Sequence, residues 1–240
     1  FGGLATGKVH LKNILDVPDM RTHLKVHNFA VNKGLMGEAD IRGAWDNELP
    51  GIRLEAQMEE KNLSSTHVTG FVSPQLKALD LHINADSTNL DLLVPYFDGI
   101  FSELDARATG FVRLHGGFKT LDFDGGVKVN LDAKVDALNT YIQLHNDSVH
   151  LRPGEFALHN ARIFDREGNS GRITGALRHT HLKNLNYQFD IQSNNLLLYH
   201  TTDPGDMLFY GKVYGTGTLS LDGGNNAMNV DANLTTGPKT

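Results

Sequence analysis

Alternation of apolar and polar side chains dominates the chain. Val127, Val129, Leu131, Ala133 and Val135 share one side of an extended strand, and Lys128, Asn130, Asp132, Lys134 and Asp136 share the other. The same period of two runs through Leu79, Leu81, Ile83 and Ala85, through Leu185, Tyr187, Phe189 and Ile191, and through Met228, Val230, Ala232 and Leu234. Between these runs lie clusters with turn chemistry: Asp124-Gly125-Gly126, Arg152-Pro153-Gly154-Glu155, Glu167-Gly168-Asn169, Asp203-Pro204-Gly205-Asp206 and Asp222-Gly223-Gly224-Asn225. Connections this short join antiparallel neighbours, because a parallel pair needs a crossover of about a dozen residues. The pattern therefore predicts an all-β chain of antiparallel strands.

One stretch has a different period. From Asn89 to Leu104 the apolar residues Leu92, Leu93, Tyr96, Phe97, Ile100, Phe101 and Leu104 fall at three-four spacing, with Asn89 placed as an N-cap. This predicts one short amphipathic helix near 89–104, covering the sheet's apolar face, against which Pro95 and Gly99 weigh.

A second regularity is the Thr-Gly dipeptide. In five copies it opens the same pattern, with an apolar residue two positions after the glycine, and the glycines stand at 7, 70, 110, 175 and 217. Long and short gaps alternate, which gives a larger period of about 105 residues. Val68-Thr69-Gly70-Phe71-Val72 with Leu76-Lys77-Ala78-Leu79 matches Ile173-Thr174-Gly175-Ala176-Leu177 with Leu182-Lys183-Asn184-Leu185. The chain divides on this basis into a module at 1–109, a second at 110–216 and the start of a third at 217–240, forming one continuous extended domain. Stacked modules that cannot bury their own apolar faces belong to an elongated architecture. Period-two stripes also suit the packed core of a sandwich or closed barrel, and the repeat is what separates the two readings.

Composition narrows the function classes. A net charge of −6 with interspersed signs and no Lys/Arg cluster argues against nucleic acid. Aromatic residues are only 8%, so stacking platforms for bases or sugars are scarce. There is no cysteine, hence no disulfide and no thiolate chemistry. No apolar run is long enough to span a bilayer. The chain starts and stops in mid-pattern, and the expectation is an excised piece whose anchoring segment lies elsewhere.

Twelve histidines make metal chemistry the first enzymatic candidate. His179 and His181 form His-x-His, which on a strand turns both rings to one face, as some zinc sites require. No third ligand is evident, and ordinary solvated strand positions account for the pair. No nucleophile elbow, phosphate-binding loop or paired-carboxylate setting appears. The expectation is no enzyme, no catalytic residue, no metal site and no cofactor. A repeat-built adhesin and a strand-docking scaffold are the remaining alternatives.

Three strings carry a family resemblance: Leu90-Asp91-Leu92-Leu93-Val94-Pro95-Tyr96-Phe97 ahead of Ala108-Thr109-Gly110; Phe164-Asp165-Arg166-Glu167-Gly168; and Leu208-Phe209-Tyr210-Gly211-Lys212-Val213-Tyr214-Gly215-Thr216-Gly217 followed by Leu219-Ser220-Leu221-Asp222-Gly223. Their order and spacing over residues 60–236 resemble the conserved C-terminal region of the TamB family (AsmA-like, inner-membrane-anchored subunit of the translocation and assembly module). The resemblance implies a curved antiparallel trough, the β-taco, in the periplasm, anchored to the inner membrane through an N-terminal segment that is not part of this sequence. It implies phospholipid transfer, outer-membrane biogenesis and protein secretion, with an outer-membrane barrel of the TamA or BamA kind as partner.

On this reading phospholipid acyl chains slide along a groove lined by Val72, Leu79, Leu81, Ile83, Val112, Leu114, Leu121, Phe123, Val127, Val129, Leu131, Leu177, Leu185, Tyr187, Phe189, Ile191, Leu219 and Leu221. Each buried methylene contributes about 0.8 kcal/mol, while the headgroup stays in water. Severed sheet edges also predict edge-to-edge self-association.

Overall fold

A computed structural model describes residues 1–13, 19–32, 34–97, 100–201, 211–224 and 227–237. The fold is all-β, as the alternation predicts. Fourteen strands follow one another in a single antiparallel sheet, each hydrogen-bonded to its sequence neighbours. They are β1 (Gly2–Lys12), β2 (Asp19–Val31), β3 (Gly34–Asp46), β4 (Gly51–Glu60), β5 (Ser64–Ser73), β6 (Ala78–Asn89) and β7 (Phe101–Gly117). The rest are β8 (Thr120–Val135), β9 (Thr140–Arg152), β10 (Glu155–Phe164), β11 (Ser170–Thr180), β12 (Lys183–Thr201), β13 (Gly211–Gly224) and β14 (Ala227–Thr236). The sheet is not closed: β1 and β14 are its terminal strands. That disposes of the barrel reading.

The chain forms two compact units. The first comprises Phe1–Leu93, Arg107–Val127 and Leu151–Pro153; the second comprises Val94–Ala106, Lys128–His150 and Gly154–Thr240. In the first, register sets like beside like. Leu24, Ile41, Ala56, Val68, Ile83 and Val112 lie abreast on one face of β2 to β7. One position along, His23, Arg42, Glu55, Thr69, His82 and Arg113 lie abreast on the other. Because the side-chain period is two, a slip of one residue would exchange these rows, so burial of one face fixes the register. The core of this unit is built around Val26, Met36, Ala39, Ala56, Met58 and Val68. In the second unit Ala161, Ile163, Ile173, Ile191, Leu196 and Leu219 are among the buried core side chains.

The predicted helix is shorter than expected. A 3₁₀ turn spans Asp91–Tyr96, and the chain is already strand at Phe101, so 101–104 belong to β7. The Asn89 side chain does accept the Asp91 N–H at 2.7 Å, but Pro95 lies inside the turn and cannot donate the next helical bond. The stretch still covers apolar surface: Leu92 packs on the core of the first unit, and its carbonyl accepts the Asn32 side-chain amide at 2.8 Å. Two turn assignments also change. Asp124-Gly125-Gly126 runs through the middle of β8, and Asp222-Gly223-Gly224 completes β13. The Asp203–Asp206 cluster lies outside the described residues, as do Leu208, Phe209 and Tyr210.

The structure gives the Thr-Gly dipeptide a physical role. Register shifts interrupt β6 between Ala85 and Thr88, β10 between Leu158 and Ala161, and β12 between Ser193 and Leu196. Each bulge holds one residue in the left-handed region: Ser87, Asn160 and Asn195, with φ of 52°, 54° and 58°. A bulge takes a backbone N–H out of the ladder. Here the threonine of the adjoining strand accepts it. Ser87 N–H donates to Thr109 Oγ1 at 2.9 Å, Asn160 to Thr174 at 3.0 Å and Asn195 to Thr216 at 3.0 Å. The glycine that follows lets the neighbouring backbone close in. A Cβ at Gly175, where φ is +155°, would fall on the Gln188 carbonyl oxygen.

Candidate functional site

The second unit contains an apolar cavity of about 420 Å³. Its walls come from successive strands: Leu131, Ala133 and Val135 of β8, Ile142 and Leu144 of β9, Leu158 and Ile163 of β10, and Ile173 and Leu177 of β11. Tyr187, Phe189 and Ile191 of β12 and Leu221 of β13 continue them, with Gly224 and Met228 at the β13–β14 end. Phe97, Ile100 and Phe101, from the segment leading into β7, line it as well. Phe97 and Phe101 meet edge to face with ring centroids 6.0 Å apart, and the Ile100 carbonyl accepts the Asp136 N–H at 3.1 Å.

The volume falls within the range of about 300–1,000 Å³ typical of small-molecule sites. It is well above the dry cavity of about 150 Å³ that takes up benzene. Among the described residues no wall residue is charged, and the Tyr187 hydroxyl is the one hydroxyl in the lining. Burial, and then the charge of Asp222, push that phenol above its ordinary range. A surface of this kind offers dispersion contacts and desolvation.

The groove-lining set from the sequence divides between the units. Leu131, Leu177, Tyr187, Phe189, Ile191 and Leu221 line the cavity. Val129, Leu185 and Leu219 are buried but do not line it, Leu219 being in the packed core. In the first unit Val72 and Leu79 pair across β5 and β6, Leu81 pairs with Leu114 and Ile83 with Val112. Leu121, Phe123 and Val127 sit half-buried on β8. The alternation already placed Ala133 and Val135 on the inner face of β8. The omitted lining residues Leu158 and Ile163 flank the bulge at Asn160, which shifts the parity, so one alternating template misses one of them.

The histidine reading is corrected. β11 ends at Thr180, and His181 lies in the following turn with φ of 52°, so the two rings do not share a strand face. His179 is not solvated either. It is buried against Phe156, with ring centroids 4.6 Å apart, and its Nδ1 accepts the Leu182 N–H at 3.2 Å. Among the described residues no group of His, Cys, Asp and Glu is arranged to hold a metal ion.

The Phe164–Gly168 string has a structural role. Asp165 is only 2% exposed. Its carboxylate accepts the N–H groups of Glu167 and Asn169, the Asn169 side-chain amide, and the Leu197 N–H of β12, at 2.8–2.9 Å. Glu167 takes the Tyr214 hydroxyl at 2.7 Å, and the Arg166 guanidinium lies 3.3 Å from the Tyr141 ring centroid. These bonds clamp the β10–β11 turn onto β12 and β13.

Comparison with protein-family models, curated proteins and solved structures finds no match. No helix among the described residues is long and apolar enough to cross a membrane.

Proposed function

We propose that the chain binds hydrocarbon tails, those of phospholipids in the first place, in the cavity of its second unit. The observation that carries this reading is a space of about 420 Å³ walled by aliphatic and aromatic side chains, with no charged group among the described lining residues. Such a site gains free energy from every methylene it desolvates, about 0.8 kcal/mol each, and its uniform lining discriminates little among tails. The resemblance to the TamB family extends the proposal. The chain would be a periplasmic, inner-membrane-anchored segment of a bridge-like lipid-transfer protein, non-enzymatic, working with an outer-membrane barrel of the TamA or BamA kind.

Native mass spectrometry and organic extraction of the purified chain test the core of it. Co-purifying phospholipid is expected, and a photocrosslinking residue at Leu131 or Ile191 should capture its tail. A protein that emerges lipid-free and takes up no tail from added lipid would overturn the reading.

One observation favours a second reading. β1 is exposed along its whole length, with Leu4, Val9 and Leu11 all uncovered, and it has a pairing partner on one side only. Strand addition by a barrel protein, or edge-to-edge pairing of two copies, would suit such an edge. Phe189→Glu separates the two: it should abolish lipid capture, whereas a pure docking module would be indifferent to it.

A further inference from the structure

The geometry points to a membrane-docking rim at one end of the first unit, formed by the turns β3–β4, β5–β6 and β7–β8. In an antiparallel succession every second turn emerges at the same end, so these three stand in a row with spacings of about 10 Å, two strand separations each. Each carries one large apolar side chain in solvent: Leu49 at 51% exposure, Leu76 at 64% and Phe118 at 44%. A single exposed apolar residue is ordinary; an aligned set on consecutive same-end turns is a feature of the surface.

The backbone chemistry of the tips favours a bilayer as the occupant. The main-chain N–H of each apolar tip is already satisfied from within. Leu49 donates to Asp46 Oδ1 at 3.2 Å, Leu76 to Ser73 Oγ at 3.1 Å and Phe118 to the Lys77 carbonyl at 2.7 Å. Ser73 also donates to the Pro50 carbonyl at 2.5 Å, tying the first two turns together as the Lys77–Phe118 bond ties the second and third. The Glu48 N–H likewise goes to Asp46. The apolar tip residues can therefore enter the headgroup–acyl boundary without stranding their own main-chain donors.

Charge complements the apolar set. Lys77 follows Leu76 and Lys119 follows Phe118, both exposed, and they suit anionic headgroups. Against them the turns themselves set only Glu48, and Asp46 beside the first tip is paired with Arg53. The opposite end of the unit also exposes apolar side chains, Phe1, Leu35 and Leu63, but there Lys61 is matched by Glu59, while Glu60 is paired with Arg107, so no surplus of lysine accompanies them. The row consists of three separate tips, which suits a fluid interface better than a protein groove. The inference is independent of the cavity, because no rim residue lines it.

The experiment is co-sedimentation of the full chain with phosphatidylcholine vesicles made with and without phosphatidylglycerol. Binding is expected, stronger with the anionic lipid. Leu49→Ser, Leu76→Ser and Phe118→Ser combined should lower the partition coefficient at least about tenfold while leaving the circular dichroism spectrum intact. Leu63→Ser should bind like wild type. In a Trp45→Phe background, Phe118→Trp should shift its fluorescence to the blue on mixing. Failure of the wild-type chain to bind, loss with Leu63→Ser equal to that of the rim variant, or unshifted emission from the Phe118→Trp reporter would overturn the proposal. Retained rim-dependent capture by a protein with no vesicle binding would also overturn it, in favour of a protein partner.

Discussion

Thr174 and Gly175 do two separable things. The hydroxyl accepts the N–H that the bulge at Asn160 withdraws from the ladder, and the glycine admits the Gln188 carbonyl where a methyl group would stand. Thr174→Val keeps shape and removes the acceptor, so it should cost about 0.5–1 kcal/mol, with Thr174→Ser restoring most of it. Gly175→Ala should cost more, about 1–3 kcal/mol, because the backbone itself must yield. Urea denaturation reads both, and equal effects would contradict the division of labour. Tyr214 offers a test through pH. Its hydrogen bond to Glu167, and then its burial, raise its folded pKa above the ordinary phenol value. The native state therefore holds the proton more tightly than the unfolded chain. The resulting stabilisation is complete below the unfolded pKa, about 10, and is lost as pH rises through the folded one. The stability gap between wild type and Tyr214→Phe should shrink above that pH in a chemical-denaturation series.

The β10–β11 turn shows how a short string can hold neighbouring strands in place. Asp165→Ala would leave the N–H groups of Glu167, Asn169 and Leu197 without their acceptor. At about 1–3 kcal/mol for each buried donor, a loss of about 3 kcal/mol or more is expected, read as a lowered denaturation midpoint. Asp165→Asn, which retains one oxygen, should lose less. Sequence showed this string as a turn and as part of a resemblance, but not as a clamp, since its partners Leu197 and Tyr214 lie far along the chain. Alternation made the strands legible wherever a run was unbroken, as from Val127 to Val135. It failed at the bulges, where one extra residue shifts the parity and Leu158 and Ile163 fall on opposite phases of one template. The 89–104 stretch misled for a related reason. Three-four spacing places Leu92, Phe97, Ile100 and Phe101 on apolar surface whether the chain is helical or not, so the pattern recorded burial and not conformation.

The second unit holds a cavity of about 420 Å³, and ligand linkage can show whether it matters. Small side chains such as Ala133, fully buried on the cavity wall, leave room that a tail would fill. Ala133→Phe puts bulk into that room without adding charge. It should raise thermal stability, as cavity filling commonly does by about 0.5–2 kcal/mol, and should displace bound lipid. A free ligand at a hundredfold excess over its dissociation constant stabilises the state that binds it by about 2.7 kcal/mol. That stabilisation must appear where the contacts are. Hydrogen exchange with and without lipid should show added protection at the amides of Ile142, Ile173 and Ile191, on strands that wall the cavity. The amides of Ile41, Val68 and Ile83, packed in the core of the first unit, should exchange at unchanged rates. Protection spread evenly over both sets, or persisting in Ala133→Phe, would mean that lipid acts at some other surface and that the cavity is a packing defect rather than a binding site.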